Sequence, residues 1–119
     1  MADERRAALR RALRADPALA AALQAGLDPL VAYDRTQGGD LVRTLAVVLA
    51  EGANVTAAAT ALYLHRNSLY YRLAHIEALT GLTLKDEMDR LWLHLAVILA
   101  GPDLAEDSDE QRTDPPERA

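Results

Sequence analysis

The chain has 119 residues, half of them apolar and a quarter charged, with no cysteine and no phenylalanine. That length supports one helical core, and the missing cysteines exclude a disulfide scaffold, a thiol nucleophile and a cysteine-ligated metal. The net charge of −5 weighs at first against a nucleic-acid partner, but residues 101–119 carry seven acids and two arginines, so residues 1–100 are neutral.

The longest apolar stretches, Leu45–Ala50 and Leu91–Ala100, fall far short of a membrane span, and Asp3, Glu4, Arg5 and Arg6 spoil any signal peptide. A cytoplasmic chain with no membrane partner is expected. From the N-terminus, Glu4–Arg14 reads as a short basic amphipathic helix with Leu9 and Leu13 four residues apart. Asp16-Pro17 is an N-cap followed by proline at the first helical position, opening a helix to about Gln24 that Gly26 ends. Asp28-Pro29 repeats the signal, and Gln37-Gly38-Gly39 closes that segment. Asp40 then caps Leu41–Ala50, whose Leu41, Leu45, Val48 and Leu49 form one apolar stripe, with Gly52 as the stop.

A tight pair follows. Asn54 caps Val55–Leu62, a three- or four-residue turn intervenes, and a second helix runs from about Arg66 to Leu79 with Gly81 behind it. Asp86 opens the last helix, with Asp89 as an imperfect capping-box partner, and Gly101-Pro102 stops it. No segment shows sustained period-2 alternation. The expected fold is all-α, about six short helices, followed by an acidic, proline-rich tail over 101–119 that cannot bury apolar surface and is expected to be disordered. Residues 1–26 read as a helical lead-in and 27–100 as the main domain.

Two short helices joined by so tight a turn form a helix-turn-helix, whose second helix lies in the DNA major groove. Ala57, Ala58, Ala59 and Ala61 make the first helix thin enough for close approach, and Leu62, Leu64, Leu69, Leu73 and Ile76 supply the apolar contacts. Removing Leu69, Leu73 and Ile76 leaves Arg66, Asn67, Ser68, Tyr70, Tyr71, Arg72 and His75 as the outer face, and no acid occurs from Leu64 to Ile76. Arginine grips guanine bidentately and asparagine does the same for adenine. Arg66, Asn67 and Ser68 are therefore placed on bases with Tyr70 or Tyr71 assisting. Arg72 and His75, a turn or more further on, are placed on phosphates, helped by the helix that carries Thr56. Tyr70 and Tyr71 also read as half-buried core residues with a wet hydroxyl, a reading that for Tyr71 competes closely with DNA contact. Tyr63 stands where such turns often place glycine, at a small strain cost.

The run Leu62-Tyr63-Leu64-His65-Arg66-Asn67-Ser68-Leu69-Tyr70-Tyr71-Arg72-Leu73, with Ile76-Glu77 and Leu79-Thr80-Gly81 behind it, closely resembles the C-terminal helix-turn-helix domain of PucR/CdaR-type regulators. The resemblance extends through Pro29-Leu30, Tyr33-Asp34, Asp40-Leu41 and Thr44-Leu45 upstream, and Asp86, Arg90-Leu91 and Leu95-Ala96 downstream, covering roughly 27–100. Ser68 stands where the family usually has threonine, and Glu87 where proline is common. The resemblance implies a bacterial transcription regulator that binds double-stranded DNA, and adds His65 to the DNA-contacting set. Family members carry a larger N-terminal sensory portion with no counterpart here, so no small-molecule effector is expected to bind this chain.

A catalytic role, a metal and a cofactor are not expected. His65 and His75 stand about 15 Å apart along one helix, too far to share a metal, and no glycine-rich elbow surrounds Ser68. The competing class is a helical interaction or dimerisation module without a DNA target. Leu91, Trp92, Leu95, Ile98 and Leu99 in the last helix belong to an apolar set too broad for one small core, and part of that stripe is expected to bury in a homodimer.

Overall fold

The structure, a computed structural model, describes residues 2–101. The acidic tail beyond Gly101 lies outside the described residues. In chain order the helices are α1 (Ala2–Arg14), α2 (Pro17–Gln37), α3 (Leu41–Ala50), α4 (Val55–Leu62), α5 (Arg66–Thr80) and α6 (Glu87–Ala100), with no strand among the described residues.

The punctuation in the first third misleads. Where Gly26 and Asp28-Pro29 read as a stop and a fresh start, α2 runs unbroken for 21 residues through both. Proline inside a helix removes one backbone hydrogen bond and crowds the preceding turn, at a cost of about 3 kcal/mol. Leu23, Leu27 and Leu30, however, lie on one stripe and are all buried, each contributing roughly 1.5–3 kcal/mol. Burial along a continuous stripe outweighs the local signals. Gly26 has its own role, since a Cβ there would stand 3.3 Å from the Trp92 indole nitrogen, so its bareness lets α6 lie close. The expected boundary at residue 26 thus falls inside α2.

The α2–α3 junction also differs from its expected form. Asp40 occupies the N-cap position of α3 but makes no capping hydrogen bond with its side chain. Asp34, near the end of α2, accepts from the N–H groups of Leu41 at 2.8 Å and Val42 at 3.0 Å instead. Gly39 makes this fold-back possible, because a Cβ there would lie 2.8 Å from the Tyr33 ring and 3.1 Å from the Asp34 carboxylate.

The core has two parts. The larger gathers Leu23, Leu30, Leu45, Ile76 and Leu93 from α2, α3, α5 and α6, all essentially without exposure. The smaller lies beneath the α4–α5 pair and holds Val48, Ala58, Ala59, Leu62 and Leu69, with Leu73 and Leu84 packed against both.

The breadth of the α6 apolar stripe is explained within the chain. Helices α1 and α2 both pack on α6, burying Leu93, Ala96, Val97, Ile98 and Leu99, with Trp92 and Leu95 half-covered. Of the five residues expected to contribute to a dimer seam, Ile98 and Leu99 are buried in the chain's own core, and only Leu91 is largely exposed. Helix α1 is held there by its arginines. Arg10 donates to the Ile98 carbonyl at 3.0 Å, which also accepts from the Gly101 N–H, and Arg14 donates to the Leu99 carbonyl at 3.2 Å, placing cations at the negative pole of α6. Leu9, expected on the apolar face with Leu13, is 44% exposed while Leu13 is buried.

Candidate nucleic-acid interface

Helices α4 and α5 meet as the sequence suggests. Asn54 caps α4 by accepting from the Ala57 N–H at 3.0 Å. At the other end Tyr63 adopts the left-handed conformation, with φ 57° and ψ 41°. Its N–H donates to the Thr60 carbonyl at 3.2 Å, and the Leu64 N–H donates to the Ala59 carbonyl at 2.9 Å. This pair of bonds ends a helix in a Schellman turn, with Leu64 folded back on the α4 core as such turns require. Ala58 and Ala59 are buried under the turn, so the backbones of α4 and α5 approach closely.

His65 opens α5. It stands at the N-cap position, and its Nδ1 accepts from the Asn67 N–H at 3.1 Å. The sequence reading treats it as a DNA contact and misses this capping role, because histidine is not among the residue types that normally signal a helix start. The bond leaves Nε2, the outer nitrogen, for another partner.

Leu69 and Ile76 are buried and Leu73 half-buried, which fixes the inward face of α5. The outward set begins with Arg66, Asn67 and Ser68, all exposed, in the first turn. Arg66 donates to the Thr56 hydroxyl at 3.3 Å, so the starts of α4 and α5 present one continuous polar surface. Tyr70 is 53% exposed and Tyr71 81%, which removes the half-buried alternative for Tyr71.

The two remaining members of the set are engaged within the protein. Arg72 pairs with the Asp40 carboxylate and also donates to the Thr44 hydroxyl at 3.2 Å. His75 packs edge-on against Tyr33, ring centres 4.5 Å apart. Thr56, His65, Arg66, Asn67, Ser68, Tyr70 and Tyr71 are therefore all exposed, with Tyr70 on the flank of α5 beside Val55 and Ala74 and Tyr71 on the flank beside Tyr33 and His75, while Arg72 and His75 are tied to the α2–α3 corner. The α5 sequence carries no carboxylate from Arg66 to Ile76, and with Arg72 offset by the Asp40 carboxylate the formal positive charge left on this stretch is that of Arg66. Among the described residues, no group of three or more histidines and acids is placed to hold a metal ion, and no helix is long and apolar enough to cross a membrane.

Comparison with known proteins gives the surface its context. The family profile of the PucR C-terminal helix-turn-helix domain matches residues 41–99. The carbohydrate diacid regulator of Escherichia coli is 46% identical over 61 residues, covering 51% of this chain and 16% of that protein. The purine catabolism regulatory protein of Bacillus subtilis is 36% identical over 67 residues, 56% of this chain and 13% of that protein. The proline-responsive transcriptional activator PutR of Bacillus subtilis is 33% identical over 70 residues, 59% and 17% of the two chains. The aligned region is thus under a fifth of each relative's length. No solved structure matches the chain. The segment that folds as α3 to α6, residues 41–99, belongs to the PucR C-terminal helix-turn-helix domain family of bacterial transcription regulators.

Proposed function

We propose that this chain binds double-stranded DNA sequence-specifically as part of a cytoplasmic transcription regulator, with α5 in the major groove. The observation that carries the reading is the first turn of α5, where exposed Arg66, Asn67 and Ser68 sit on a helix start braced to α4 through Thr56. Arg66 and Asn67 have the hydrogen-bonding groups to read guanine and adenine edges, while the exposed Tyr70 and Tyr71 rings stand on the two flanks of α5 behind them. Thr56 and the outer nitrogen of His65 are set to meet phosphate oxygens beside them.

The relatives support a role in transcription regulation for this region. They are named for three different signals, a carbohydrate diacid, proline and purine catabolism. What they share with this chain is the helix-turn-helix region, so that region serves the common task of regulating transcription.

Selection of bound duplexes from a random pool at near-physiological salt tests the proposal. An enriched motif is expected, and half-sites about one helical turn apart would show that two copies bind together. Arg66→Ala should then cost about 1–3 kcal/mol and relax preference at one base position. No enrichment, or an Arg66→Ala protein with unchanged affinity and preference, would overturn the reading.

A further inference from the structure

Arg72 is the second of the two arginines on α5, and its surroundings do not suit a phosphate contact. It pairs with Asp40 and donates to Thr44, and Thr44 is fully buried, its hydroxyl donating in turn to the Asp40 carbonyl at 2.9 Å. The Arg72 side chain retains only 32% of its exposure. Asp40 is available for this pairing because the capping of α3 has passed to Asp34. Tyr33, Tyr71 and His75 line the same shallow groove around the pair.

Leu69, Leu73 and Ile76 hold α5 against the core, but apolar contacts are non-directional and resist rotation or sliding of a helix only weakly. A charge-assisted hydrogen bond with a second donor contact fixes direction as well as distance. Base reading tolerates roughly 0.5 Å and 10–20° of error. A bond between mid-α5 and the first turn of α3 is therefore well placed to set the angle at which Arg66 and Asn67 face outward.

We infer that Arg72 is a positioning residue, committed to Asp40 and Thr44, that sets the rotation and height of the reading helix instead of gripping a phosphate. The inference rests on the DNA-binding reading above. The two roles predict opposite signs for one substitution. If Asp40 anchors Arg72 for positioning, Asp40→Asn weakens specific binding. If Asp40 merely restrains a phosphate-seeking arginine, Asp40→Asn frees it and tightens binding to every duplex.

The experiment measures affinity of the full chain for the selected duplex and for a random one across a salt series. Wild type, Arg66→Ala, Arg72→Ala, Asp40→Asn and the Asp40→Asn/Arg72→Ala double variant are compared, each checked by thermal melting. The expected result is a loss of about tenfold in the selected-to-random ratio for Arg72→Ala and for Asp40→Asn, no further loss in the double variant, and an unchanged salt slope. Tighter binding by Asp40→Asn, or a salt slope about one unit shallower in Arg72→Ala, would overturn the inference. Asp40→Asn keeps an oxygen acceptor and the shape of the side chain, so it carries the test should Arg72→Ala fail to fold. An Arg66→Ala protein that binds as wild type would instead remove the DNA-reading assignment itself.

Discussion

Asp34 caps a helix that begins seven residues after it, accepting from the Leu41 N–H at 2.8 Å and from the Val42 N–H at 3.0 Å. The chain doubles back at Gly38, in the left-handed conformation, and at Gly39, where a side chain would strike Tyr33 and Asp34. One carboxylate thereby closes the α2–α3 corner and leaves Asp40 facing α5. Bonds from a backbone donor to a charged acceptor contribute roughly 1.5–3 kcal/mol, and a lost cap costs about 1 kcal/mol. Asp34→Ala should therefore lower unfolding free energy by about 2 kcal/mol, measured by urea denaturation with an unchanged m-value. A loss below about 0.5 kcal/mol would show that water replaces the carboxylate without penalty.

The corner also shows where sequence reading reaches its limit. Aspartate directly before an apolar helix is a sound local signal, and Asn54 and Asp86 obey it, the latter accepting from the Asp89 N–H at 2.8 Å. At Asp40 the signal fails because Asp34, six positions earlier, takes the first N–H groups of the helix, and only the path of the chain reveals the competitor. Asp89 behaves similarly, accepting from the Thr83 N–H at 3.1 Å where the capping-box pattern has it reach back toward Asp86. The turn and both flanking helices of the α4–α5 pair were legible because their determinants, caps, small residues and apolar spacing, lie within a few residues of one another. The status of Arg72 was not legible, since a cation on a polar helix face reads the same whether or not an acid from another element stands beside it.

Tyr63 lies in the left-handed region at φ 57° and is 94% exposed. The side chain pays a backbone cost of about 1–2 kcal/mol with little packing in return. Tyr63→Gly removes that strain at the price of a more flexible unfolded chain, and should raise stability by up to about 1 kcal/mol while leaving the α4–α5 angle intact. Thermal melting checks the sign. A Tyr63→Ala protein, which keeps the strain and loses the ring, should gain nothing, and stabilisation of both variants alike would point to removal of the exposed ring as the cause.

Gly26 faces the Trp92 indole at a distance that leaves no room for a branched side chain. Alanine there sets a gain in helix propensity of about 1 kcal/mol against a contact at 3.3 Å, so the two effects nearly cancel. Valine cannot be accommodated without moving α2 from α6, and Gly26→Val should destabilise by about 1–3 kcal/mol. Trp92 fluorescence in the same urea titration would report the displaced indole. A Gly26→Val protein as stable as wild type would mean that the α2–α6 contact yields freely.

His94 supplies the pH dependence. It is half-buried on α6, and burial, with the Arg6 guanidinium adding to it, holds its pKa below the ordinary 6.5. The unfolded chain therefore takes up this proton more readily than the folded one. Above about pH 6.5 the imidazole is neutral in both states and contributes no slope. As pH falls below that value, unfolding is accompanied by proton uptake, and stability declines until the folded imidazole also protonates. His94→Gln removes the linkage while keeping a polar side chain of similar reach. Between pH 7.5 and pH 5 the fall in Tm should be steeper for wild type than for His94→Gln, the carboxylates being common to both. Because α1 brings Arg6 to this site, Arg6→Gln should recover part of the difference at acid pH. Parallel Tm profiles for wild type and His94→Gln would show that the half-buried imidazole does not govern acid stability.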